Sequence, residues 1–157
     1  MVSVSNDILT FAYRTKQIFS LVKLITSYRA RDLADKDGNL VGDTLMLTDD
    51  ERDLFDLIVN KAAMTVCDEL MKLNEGDNQM FIIDNNRLIF NIVNHKKYNV
   101  NALQSCDTAI LDLLNTSCVQ QFYDIINQTE QSELYKVKSV EAAAVLHERA
   151  YELRKIR

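Results

Sequence analysis

"QMFIIDNNRLIFNIV", Gln79 to Val93, decides how the rest of the chain has to fold. It is rich in β-branched and aromatic residues and has Asn85-Asn86 at its centre. Asn tolerates positive φ, which both central positions of a two-residue type I′ turn require. Pairing across that turn matches Ile83 with Leu88 and Phe81 with Phe90, all on one face that Ile92 continues. A lone hairpin is marginal in water, so this face must pack on other elements.

Outside this stretch the sequence points to helices. Pro is absent and Gly occurs 3 times in 157 residues, so long uninterrupted helices are favoured. Residues 6 to about 34 read as a first helix, with Ile8, Phe11, Thr15, Ile18, Val22 and Ile25 on one face and Leu21, Leu24 and Tyr28 widening it. Ser5 or Asn6 can cap its start. Thr48-Asp49-Asp50-Glu51 reads as a capping box that opens a second helix and places negative charge at the positive end of its dipole. Leu54, Phe55, Ile58, Ala62, Val66, Leu70 and Leu73 form the stripe of that helix, and Gly76 reads as its stop.

After the hairpin, "NHKKYN" is a polar connector. A third helix spans about Asn101 to Asn127, capped by Asn99 or Asn101, and buries Leu103, Cys106, Ile110, Leu113, Leu114, Cys118, Phe122 and Ile125. A fourth starts near Ser132 and runs to the end, with Arg154, Lys155 and Arg157 complementing its dipole. The expected fold is mainly α: a four-helix bundle in the order α-α-β-hairpin-α-α, with a small two-stranded antiparallel β-hairpin. Residues 1–157 form a single helical domain with a long 35–47 interhelical loop and an 80–93 β-hairpin.

That loop includes "LADKDGNLVGDT", Leu33 to Thr44, which resembles an EF-hand loop with Asp35, Asp37 and Gly38 in place. The match fails where it matters. Leu33 at the first position has no side-chain oxygen, and Thr44 at the twelfth cannot supply a bidentate carboxylate. The stretch reads as a connector, and a connector this long often contacts partners.

No other constellation carries chemistry. His95 and His147 have no sequence neighbours that suggest a triad or a metal site, and the crowded Asp49, Asp50, Glu51 and Asp53 are explained by helix capping. Lys96-Lys97-Tyr98 makes a weak phosphate patch, and no glycine-rich phosphate loop or nucleophile elbow occurs. The odd count of Cys, at Cys67, Cys106 and Cys118, reads as buried reduced thiols. No secretory signal and no apolar run near the ~20 residues of a membrane span are visible. The expectation is a protein that is not an enzyme, holds no cofactor or metal, and touches no membrane.

The net charge of −5 argues against a general nucleic-acid binder, and no sequence-specific nucleic-acid binding is expected. The charge is segregated. Residues 1–31 hold five bases and one acid, residues 32–79 hold thirteen acids and four bases, and residues 80–157 hold nine of each. A basic end and an acidic middle can attract each other between copies, or pair within one molecule. The candidate oligomer-interface residues are Arg29 and Arg31 on one side and Asp49, Asp50, Asp53 and Asp56 on the other.

Two segments, Ser27 to Leu70 and Arg87 to Ile125, together set out one recognisable layout. Ser27-Tyr28-Arg29 closes a long helix, an Asp/Gly-rich stretch runs from Asp35 to Asp43, and Leu47 to Glu51 opens the next helix. A strand at Leu88 to Ile92, a turn at Tyr98 to Asn101 and Phe122-Tyr123 near the end of a helix follow. This layout resembles that of small helical virion proteins encoded by phages and prophages of Bacteroidetes, with the crAss-like phages as the candidate group. The resemblance implies a structural role near the neck: a head–tail connector ring, a tail-completion subunit, or another ring beneath the portal. It implies copies of the chain in a ring, contacts with the portal and adjacent neck or tail proteins, and a virion location after synthesis in the bacterial host cytoplasm. The alternative is a non-virion assembly factor or a small cytosolic regulatory module.

Overall fold

The structure, a computed structural model, describes residues 1–5, 7–30, 47–94 and 99–154. In chain order the regular elements are strands β1 (Val2–Ser5) and β2 (Ile8–Arg14), then helices α1 (Thr15–Ala30) and α2 (Arg52–Leu70). Strands β3 (Phe81–Asp84) and β4 (Arg87–Val93) follow, then helices α3 (Leu103–Ile125) and α4 (Thr129–Arg154). The protein is mainly helical, with one antiparallel four-stranded sheet in the order β1-β2-β4-β3.

The hairpin forms in the expected register, with Ile83 opposite Leu88 and Phe81 opposite Phe90. Asn85 and Asn86 take φ of 49° and 61°, as a primed turn requires. The sheet, however, has four strands rather than two, and the first helix does not begin at residue 6. Residues 8–14 are a strand. Ile8, Phe11 and Thr15 fit helical spacing, but Leu9, Phe11 and Tyr13 also alternate, and it is the alternating set that is buried. A two-stranded hairpin leaves one flank of β4 unpaired. β2 satisfies it over seven residues, from Ile8 opposite Val93 to Arg14 opposite Arg87. Asp7, at φ 66°, lies between β1 and β2, and β1 pairs back on β2.

Leu9, Phe11 and Tyr13 of β2 and Leu88, Phe90 and Ile92 of β4 form the inner face of the sheet. They join one core with Ile18, Phe19 and Val22 of α1, Phe55, Ile58 and Val66 of α2, and Ile110, Leu114, Cys118 and Phe122 of α3. Helix α3 packs on α4, α2 and α1, which explains its broad buried face. Two residues of its expected stripe depart from it: Leu103 is partly buried, and Ile125 is 39 % exposed.

Helix α2 is entered through a short 3₁₀ turn at Asp49–Glu51. The Thr48 carbonyl accepts from the Glu51 N–H at 3.1 Å, and the Thr48 hydroxyl donates to the Glu51 carboxylate at 3.3 Å. The reciprocal side-chain cap expected of this box is replaced by that tighter turn. Gly76 does not stop the helix, which ends six residues earlier at Leu70. Instead it lets the chain approach β4: a Cβ there would sit 3.2 Å from the Val93 Cβ. Its neighbours dock on the same strand. Glu75 N–H donates to the Val93 carbonyl at 2.7 Å, and Val93 N–H donates to Asn74 Oδ1 at 2.9 Å.

Candidate functional site

Two surfaces of α1 and α2 carry the residues expected to meet partners. On α1, the buried side is Ile18, Phe19, Val22, Thr26 and Ala30. Leu21, Leu24 and Tyr28, expected to widen that side, lie outward at 38 %, 54 % and 61 % exposure. They recur at i, i+3 and i+7, so they form one stripe along the helix. Sequence periodicity could not separate the two sides, because α1 is apolar around most of its circumference.

The stripe ends in a shallow hollow of about 380 Å³ lined by Leu24, Ile25, Tyr28, Arg29 and Tyr135. Arg29 is engaged there. Its Nε donates to the Tyr135 hydroxyl at 3.4 Å, and its guanidinium lies 5.5 Å from the centre of the Tyr135 ring. Tyr123 stacks beside Tyr135 with ring centres 5.9 Å apart. Arg29 therefore ties α1 to α4 within one chain. Arg31 lies outside the described residues, as do residues 35–46 of the expected loop, His95, Lys96, Lys97, Tyr98, Lys155 and Arg157.

The acidic residues stand together at the start of α2. Asp49, Asp50, Asp53 and Asp56 are all exposed. Asp49 is held by Lys23 of α1 at 3.1 Å, so part of the charge complementarity is met inside one molecule. Asp50, Asp53 and the 51 % exposed Leu57 follow one another at helical spacing on one side, a short acidic-apolar edge.

Groups with chemical potential are few. Among the described residues no three His, Cys, Asp or Glu side chains are placed to hold a metal ion. His147 is exposed and stands 3.6 Å from a Glu69 carboxylate oxygen across α4 and α2. The thiols are suppressed by burial: Cys67 is pushed up to about 11 and Cys106 to about 12, each with a neighbouring aspartate adding to the rise, and Cys118 is raised by burial alone. Tyr13 is raised by burial and by its hydrogen bond to Asp107, whose carboxylate accepts from the hydroxyl at 2.6 Å. Burial thus holds these three thiols and the Tyr13 phenol in their protonated forms at neutral pH. Among the described residues no helix is long and apolar enough to cross a membrane.

No protein-family model, curated protein or solved structure matches this chain. Function therefore has to be argued from its own surfaces.

Proposed function

We propose that the protein is a structural subunit of a phage virion, joining copies of itself and adjacent neck or tail proteins into a ring at the head–tail junction or a tail-completion layer. The observation that carries the assembly reading is the exposed apolar pair Leu21 and Leu24 on a basic helix, in the same chain as the exposed acidic start of α2. Two different surfaces of complementary character favour heterologous contacts, and heterologous contacts that close make rings. The virion location rests on the layout of Ser27–Leu70 and Arg87–Ile125, which resembles that of phage neck proteins.

The test is quantitative mass spectrometry of gradient-purified particles, comparing the copy number of this protein with that of the portal. A stoichiometric amount supports the reading. Absence from mature particles, with abundance in infected cells, replaces it with a non-virion assembly factor or regulator.

A further inference from the structure

A second cavity, of about 590 Å³, opens where β2 passes into α1 beside α3. Its lining includes Arg14, Arg87, Gln17, Leu21, Leu111 and Asn115. Three features of it are unfavourable in the isolated chain. First, Arg14 and Arg87 are direct partners in the β2–β4 ladder, and like charges so placed repel. Among the described residues neither has an ion-pair partner, and Asp84, opposite Arg87 on β3, makes no salt bridge to it. Second, the helix that begins right after Arg14 has Lys16 and no acid in its first turn, so cations crowd the positive end of its dipole. Third, Asn115 is 7 % exposed and its Oδ1 has no hydrogen-bond partner. The acid in the lining, Asp107, is already taken up by the Tyr13 hydroxyl.

We infer that this cavity receives the acidic start of α2 from a second copy of the chain. The inference rests on the assembly reading above and specifies its contact. Asp50 and Asp53 supply two carboxylates to the two unpaired guanidiniums. Leu57, one turn further along the same edge, covers the exposed Leu21 and Leu111. Donor and acceptor surfaces differ, so each copy uses both and the contact propagates. The basic half of the interface thereby moves from Arg29, which is held by Tyr135, to Arg14 and Arg87.

Sedimentation velocity of the full chain at low ionic strength tests this, with circular dichroism melts as the check on folding. The wild-type chain should self-associate. Arg14→Glu with Arg87→Glu should weaken association by at least about tenfold, the lower end for losing a desolvated charge pair. Adding Asp50→Arg and Asp53→Arg to the same chain should restore it. Arg14→Gln with Arg87→Gln serves if the Glu variant melts early, and should also weaken association. A wild-type chain that stays monomeric overturns the inference, as does unchanged association in the arginine variants or failure of the reversed pair to rescue. The virion count separates the two claims. A stoichiometric virion protein whose association ignores Arg14 and Arg87 leaves the assembly reading standing and removes this contact.

Discussion

Tyr123 carries its hydroxyl into the core between α3 and α4, fully buried and without a hydrogen-bond partner. A desolvated hydroxyl with nothing to bond costs about 1–3 kcal/mol, so Tyr123→Phe should stabilise the fold by roughly 1 kcal/mol and raise its melting temperature by about 2–4 °C. A lower melting temperature in a calorimetric scan would mean the hydroxyl is bonded after all. The buried thiols make a second prediction. Their folded pKa values are raised, Cys106 to about 12, above the ordinary 9.0. The unfolded chain therefore loses protons first as pH rises, and stability present in full below pH ~9 declines above it. Cys106 held protonated in the fold costs about 2 kcal/mol at pH 10.5, so urea midpoints should fall clearly between pH 7.5 and 10.5. At this scale the sequence was most legible where one residue has one job. Asn85-Asn86 had to be a turn because few residues accept positive φ. Asn115, the orphan in the cavity, gave no signal, since an Asn in the middle of an amphipathic helix is ordinarily a surface residue.

At the scale of elements, α2, α3 and the β3–β4 hairpin were readable because each has a long apolar period or a decisive turn, and α4 through the helix-favouring Ala content of Val140 to Ala150. The β1–β2 pair was not. Over seven residues, Ile8-Leu9-Thr10-Phe11-Ala12-Tyr13-Arg14 satisfies a helical stripe and an alternating one, and only the partner strand β4, far away in sequence, decides between them. The missing clue was structural: β4 is apolar on alternate positions and needed a second neighbour. Phe11, fully buried opposite Phe90, tests the assignment. Phe11→Ala should cost about 3–5 kcal/mol, as for a large core side chain, and should weaken exchange protection of β4 amides as well as those of β2. Loss of protection confined to residues 8–30 would fit a helix there, not a central strand.

For the whole molecule, charge segregation was visible in composition, but which charges remain free was not. Lys23 pairs with Asp49 and Arg29 with Tyr135, whereas Arg14 and Arg87 stand opposite each other, with no salt bridge among the described residues, across a ladder that the sequence did not reveal. On the contact inferred above, the acidic residues read from the sequence keep their place, and Arg14 and Arg87 stand where Arg29 was expected. Exposed charges further apart than about 8–10 Å are screened at physiological salt, so only opposed pairs of this sort exert force at contact range. The order β1-β2-β4-β3 also has a consequence in time. The central ladder joins Ile8 to Val93, two ends of most of a hundred residues of chain. At roughly 5–20 residues per second, a ribosome leaves β2 waiting on the order of 5–15 s for its mate. During that interval Leu9, Phe11 and Tyr13 can pack on α1 and α2, which are made before β4, but the free edge of β2 has no strand to pair with. An open strand edge is most exposed to wrong pairing where many chains are made at once, so synthesis is the stage at which this sheet is most open to aggregation.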